Sequence, residues 1–244
     1  MCYADDARPP APPVQGPIAS HGELVLESAD GTRFGAYQAR PGEPAGTGVV
    51  ILPDVRGLHR FYPELACRFA EAGLEAVAID YFGRTAGIGS RDEEFPFKEH
   101  MAQIDWAKVA EDADAAVTWL RANTQATSLF TVGFCFGGAM SWRQSAAGGG
   151  LAGCMGFYGR PMRSEPYISK MRAPLLILIA GADQATTSEQ NEDFQRKLSA
   201  VGAPYESHVY EGAPHSFFDR SYEQWKDACD DAWRRMLAFV KKHS

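Results

Sequence analysis

Between residues 128 and 147 an apolar run passes through a glycine-rich turn into a segment with helical spacing, and this junction constrains the fold more than any other feature of the chain. Residues 128–133 read as a strand and residues 136–147 as a helix. The turn between them, Gly133-Phe134-Cys135-Phe136-Gly137-Gly138, has the form G-x-C-x-G. A strand–turn–helix this tight holds its central residue in a strained conformation, and side chains at 133 or 137 would collide with neighbouring backbone. The Cys135 thiol is thereby presented at the top of a sheet and at a helix N-terminus. There the dipole and free N–H groups favour a thiolate and a developing oxyanion. The competing reading is a buried cysteine beside a packing turn. A phosphate-binding loop fits poorly, because the G-K-[ST] ending and any nearby basic residue are missing.

Elsewhere strand and helix patterns alternate. Residues 23–28 and 33–39 read as a hairpin around Ala29-Asp30-Gly31-Thr32. Residues 49–53, 75–80, 151–157, 174–180 and 205–210 read as further strands. The spacing predicts helices over 61–72, 97–122, 188–201 and 222–243, with Gly73 and Gly202 as stops. This alternation predicts an α/β fold: a mostly parallel sheet with helices on both faces and an N-terminal antiparallel hairpin. Residues 1–20 hold Pro9, Pro10, Pro12, Pro13 and Pro17 without periodicity and read as a Pro-rich arm. Residues 21–244 then form a single domain. In such sheets ligands sit beyond the carboxyl ends of the strands.

Composition narrows the function classes. The chain has 244 residues, 45% hydrophobic and 23% charged, as expected of a globular protein. A net charge of −7 with no basic cluster argues against a nucleic-acid surface. No apolar run nears the roughly 20 residues that span a bilayer, and residues 1–20 lack the apolar core of a secretory signal. Five irregularly spaced cysteines, Cys2, Cys67, Cys135, Cys154 and Cys229, do not suggest a disulfide framework, so a reducing, cytoplasmic setting is expected. No CxxC or HxxxH pair is present, and neither a metal nor a cofactor is expected.

A nucleophilic thiol needs a base that titrates near working pH. Of six histidines, His21 and His243 lie near the termini, His100 opens a helix and His208 sits within a strand. His59 follows a strand end and remains a candidate. His215 lies in Gly212-Ala213-Pro214-His215-Ser216-Phe217, a loop after the last strand, and is the better placed. The group that orients it should also lie at the carboxyl edge. The strand at 174–180 runs into Gly181-Ala182-Asp183, which puts Asp183 there. The order nucleophile, acid, histidine matches that of α/β-hydrolases.

With these residues assembled, the chain resembles the dienelactone hydrolase family over residues 20–243. The likeness rests on the Cys135 turn, on Gly181-Ala182-Asp183, on Pro214-His215-Ser216-Phe217 and on Asp80-Tyr81-Phe82-Gly83-Arg84. The resemblance implies an α/β-hydrolase fold and a Cys135–His215–Asp183 triad. It also implies an acidic residue near the thiol that accepts its proton as substrate binds. That residue is Glu in well-studied members, and Asp54 occupies the matching position in Leu52-Pro53-Asp54-Val55-Arg56-Gly57. The oxyanion hole would use the backbone N–H groups of Val55 and Phe136. Members that hydrolyse carboxylated enol-lactones hold the carboxylate with two arginines. Arg84 matches one. Asp219 occupies the spacing of the other, with Arg220 next to it. Arg56, beside Asp54, is a further candidate cation on our own reading.

The expected activity is cleavage of a small-molecule ester or lactone of the dienelactone type through a thioester, with no nucleic-acid or membrane partner and with a monomer or small homo-oligomer. The alternatives are a carboxylesterase, thioesterase or acyltransferase on the same triad, or a non-catalytic thiol sensor.

Overall fold

The computed structural model describes residues 6–219 and 221–244. The chain begins with strands β1 (Ile18–Glu27), β2 (Arg33–Pro41) and β3 (Thr47–Leu52), then helix α1 (Phe61–Glu71) and strand β4 (Glu75–Ile79). Helices α2 (Gly83–Ala86), α3 (Phe97–Met101) and α4 (Trp106–Asn123) lead to β5 (Ser128–Phe134), α5 (Phe136–Gln144) and β6 (Gly153–Phe157). Two 3-10 turns, Pro161–Arg163 and Glu165–Lys170, precede β7 (Leu175–Ala180), α6 (Ser188–Ala200), β8 (Tyr205–Tyr210) and α7 (Lys226–His243).

The strands form one sheet in the order β1-β2-β4-β3-β5-β6-β7-β8. The β1–β2 and β2–β4 pairings are antiparallel and the rest are parallel, so β2 alone runs against its neighbours. The inner parallel strands β3, β4, β5, β6 and β7 are largely apolar because both faces are covered, whereas the edge strand β8 (Tyr205–Tyr210) is mostly polar and exposed. On one face α1 and α7 pack Phe69, Trp233, Met236 and Phe239 over Val49, Ile51, Phe130 and Val132. On the other, α4 and α5 lie over Val50, Leu52 and Val77, and α6 covers Ile177 and Ile179. This is the α/β-hydrolase fold.

Two features depart from the sequence reading. The helix expected over 97–122 is two helices, because Asp105 adopts an extended conformation and its side chain accepts the Ala107 N–H, capping α4. The helix expected from 222 starts at Lys226. The arm ends at Pro17, because β1 takes in residues 18–20, and its described residues from Asp6 lie along α1 and α7. Trp233 Nε1 donates to the Pro10 carbonyl at 3.0 Å, and the Gly16 N–H donates to the Glu71 carbonyl at 2.7 Å. Among the described residues no helix is long and apolar enough to cross a membrane.

Candidate active site

The turn after β5 is as tight as its glycines require. Cys135 has φ 55° and ψ −111°, a conformation rarely adopted by residues with side chains. A Cβ on Gly133 would stand 1.9 Å from the Gly137 carbonyl oxygen, and one on Gly137 would stand 2.0 Å from that of Leu52. Only hydrogen fits at either place. The Cys135 N–H is tied to the Phe157 carbonyl of β6 at 3.1 Å, and its own carbonyl accepts the Gly138 N–H at 3.1 Å to open α5. The backbone is thus clamped on both sides while the side chain stays partly exposed at the carboxyl edge of the sheet.

The loops after β7 and β8 are knitted together. The Gly181 N–H donates to the Tyr210 carbonyl at 2.9 Å, and the Ala182 N–H donates to the Ala213 carbonyl at 2.8 Å. These bonds bring Asp183 to His215 across 32 positions of sequence, with Nδ1 and Oδ2 2.8 Å apart. The other carboxylate oxygen of Asp183 accepts the Ala185 N–H at 2.7 Å, which fixes its plane. With Nδ1 on Asp183, Nε2 is left for the Cys135 thiol, which lies close enough to His215 to raise its pKa. Burial opposes a charge on His215, but the bonds to Asp183 and Cys135 outweigh it and lift the group to about 10. The Tyr158 ring packs against His215 at 4.9 Å between centroids.

The loop after β3 faces the thiol from the opposite side. Asp54 is fully buried; its N–H donates to the Tyr62 hydroxyl at 2.8 Å, and its Oδ1 accepts the Arg56 N–H at 2.9 Å. The Tyr81 hydroxyl donates to the Asp54 carbonyl. Tyr81 is held well above its ordinary pKa, chiefly by burial and then by the charges of Asp54, Asp80 and Cys135, so its hydroxyl lies in the field of both candidate acid and thiol. Val55, next along this loop, is partly exposed. Phe136 opens α5, and its ring packs on Tyr81 at 4.9 Å and Trp106 at 4.5 Å. The arrangement offers a thiol close to a histidine that is itself hydrogen-bonded to a carboxylate, beside a helix N-terminus.

Comparison with known proteins decides the family. Residues 34–244 match the model of the Dienelactone hydrolase family. The chain belongs to that family. It is 26% identical over 232 residues to the "Putative carboxymethylenebutenolidase" of Escherichia coli K12, a match spanning 88% of this chain and 84% of that one. A Bradyrhizobium protein described as "Probable 2-oxo-3-(5-oxofuran-2-ylidene)propanoate lactonase" is also 26% identical, with 85% and 89% covered. Among solved structures, the "Putative Dienelactone Hydrolase" of Klebsiella pneumoniae superposes with a TM-score of 0.80 at 26% identity, covering 93% of this chain and 99% of its own. Membership of the dienelactone hydrolase family makes the chain an α/β-hydrolase of the esterase and lactonase type.

Within this dienelactone hydrolase relative the arginines fall out differently from the sequence reading. Arg84 was expected to meet substrate. Its Nε and Nη2 instead donate to the two oxygens of Asp112 at 3.0 and 2.7 Å, and its Nη1 donates to Asp30 at 2.8 Å and Thr32 at 3.0 Å. Every guanidinium nitrogen is occupied, and the side chain ties α4 to the β1–β2 turn. Arg56 is buried, with 4% of its surface exposed. Arg220 lies outside the described residues. Its neighbour Asp219 is buried and accepts the Tyr158 hydroxyl at 3.3 Å.

Sequence reasoning missed Tyr62, Tyr81, Tyr158, Trp106 and Arg163. Arg163 ends a 3-10 turn after β6 and lies 4.5 Å over the Trp106 ring. A strand end followed by Pro161 was the available signal for that turn; Tyr81 lay within the Asp80–Arg84 motif, and none marked Tyr62 or Tyr158. Among the described residues no group of three or more His, Cys, Asp or Glu side chains gathers as a metal site.

Proposed function

We propose that the protein hydrolyses esters or lactones with activated leaving groups, of the dienelactone kind, through a thioester on Cys135. The observation that carries this reading is the His215–Asp183 hydrogen bond at 2.8 Å beside Cys135, which stands at a strained strand–helix turn.

His215 takes the thiol proton, and the thiolate adds to the substrate carbonyl carbon. The carbonyl oxygen becomes an oxyanion held by the N–H groups of Val55 and Phe136. Collapse breaks the bond to the leaving oxygen, which accepts the proton from His215, and a thioester remains. His215 then removes a proton from water; the hydroxide attacks the thioester, and the thiolate departs with the acid released. Asp183 holds the imidazole in the required tautomer and stabilises its charged form. Asp54, through its bond to the Arg56 N–H, shapes the loop that presents Val55; in the family pattern it is also a second acceptor for the thiol proton. A thiolate leaves a tetrahedral intermediate more readily than an alkoxide does. Enol-lactones and aryl esters therefore partition forward, whereas alkyl esters and amides revert.

The test follows loss of the ultraviolet absorbance of a carboxylated dienelactone, with an aryl ester in parallel, in wild type and Cys135→Ala. The reading expects turnover by wild type and a loss of at least about a thousandfold in the variant. Turnover of the aryl ester alone would remove the dienelactone from the reading. Equal rates in both proteins would overturn it.

A further inference from the structure

We infer that Asp80 and Arg91 form a buried pair that positions the oxyanion loop, acting on the reaction through the Val55 N–H group without touching substrate. The inference rests on the hydrolase reading above and assigns a role to two residues outside its triad.

The loop from Pro53 to Leu58 is anchored at both ends. At its start, Asp54 is held by the hydroxyls of Tyr62 and Tyr81. At its end the Asp80 carboxylate lies against Gly57 and near the Leu58 backbone, and it accepts the Phe82 N–H at 3.2 Å. Gly57 is pressed between them. A Cβ there would stand 3.0 Å from Asp80 Oδ1 and 2.5 Å from the Phe82 ring, and its φ of 72° suits glycine. Val55 lies between the two anchors, so its N–H direction depends on both.

Asp80 is 1% exposed, and a carboxylate so deep needs a counter-charge. Arg91 supplies it, with Nη2 2.8 Å from Asp80 Oδ2 and a side chain only 4% exposed. Arg91 comes from a different segment. Its guanidinium donates to the carbonyls of Gly87 and Ser90 and lies 4.6 Å over the Phe95 ring, gathering residues 87–95 around itself. Phe95 in turn stacks on His100 at 4.9 Å and packs on Phe82 at 5.1 Å. One buried ion pair thus joins this peripheral segment to Asp80, which lies against the oxyanion loop. The same segment, with Leu58 and His59, walls a cavity of about 770 Å³ beside the β1–β2 hairpin. The loop therefore has open space behind it and relies on the pair for its position.

The test compares two reactions of Cys135. Hydrolysis of 4-nitrophenyl acetate passes through an oxyanion. Alkylation by iodoacetamide forms the S–C bond as iodide leaves from a saturated carbon, and needs no oxyanion hole. Asp80→Asn and Arg91→Met should each lower kcat/KM for the ester about 10–100-fold, mostly in kcat. Alkylation of the Cys135 peptide, followed by mass spectrometry, should stay within about twofold. The double variant should lose no more than the worse single one, and Arg91→Lys should recover part of the loss. Parallel loss of both reactions would show a merely structural pair and overturn the inference, as would unchanged hydrolysis in the variants. Wild type that alkylates but hydrolyses no ester would overturn the hydrolase reading and this inference with it.

Discussion

Cys135 and Cys154 stand one strand apart in the same sheet and have opposite surroundings. Cys154 lies within β6, opposite Thr131 of β5, and is fully buried. Burial pushes its thiol up to about 12, against a hydrogen bond from Thr131 that favours ionisation. Cys135 lies just past the end of β5, where the chain turns. It is partly exposed and lies close to His215. The difference is one of place along the strand. Inside a strand covered on both faces, a cysteine is a small apolar filler. At the carboxyl end, a turn that only glycine-flanked backbone can make lifts the same side chain out of the core toward two loops. Cys229, on the buried face of α7 and also pushed up to about 12, falls with Cys154.

The sharpest break would come from substitution. Cys135→Ala should abolish ester turnover by at least about a thousandfold, whereas Cys154→Ala should leave kcat/KM within about threefold and cost on the order of 1 kcal/mol in a denaturant melt. Comparable activity losses at the two sites would erase the distinction. Next in size is Asp183→Asn, which removes the acceptor on His215 Nδ1 and should lower kcat about 10²–10⁴-fold, read from steady-state kinetics with the same ester. A smaller effect is expected in reagent selectivity. At neutral pH iodoacetamide should modify the Cys135 peptide at least about a hundredfold faster than the Cys154 peptide in native protein, and His215→Gln should narrow that ratio.

The smallest is a pH effect on stability. A histidine raised to about 10 contributes stability that is complete below its ordinary value of 6.5 and is lost as pH rises through 10. Cys135→Ala removes one of the bonds that raise it. Between those pH values wild type should therefore lose more of its melting temperature than the variant. Parallel curves would contradict the coupling.

How much of this was legible in the sequence depends on whether an interaction is local. Strands β3 to β7 show as apolar runs because both faces are covered, and the turn at Cys135 shows because the close approach of Gly133 to Gly137 excludes any side chain. The ends of β7 and β8 show through Gly181 and Pro214, so Asp183 and His215 could be placed on one edge of the sheet before their contact was visible. The partners of Arg84 were hidden for the opposite reason. Its partner Asp112 is 28 residues away on the buried face of α4, among apolar residues that dominate the pattern there. Tyr158, with φ 37°, and the Asp80–Arg91 pair are likewise set by contacts that sequence spacing does not encode. The break before α4 was local, but the apolar spacing that runs through it masked Asp105 as a cap.

The claim that Cys135 carries the acyl group is tested most directly by rapid-quench mass spectrometry of the protein mixed with a 4-nitrophenyl ester. The account predicts one acyl adduct, on the peptide bearing Cys135, that forms and decays at rates matching turnover and is released by hydroxylamine. An adduct on another residue, or undiminished turnover by Cys135→Ala, would contradict it.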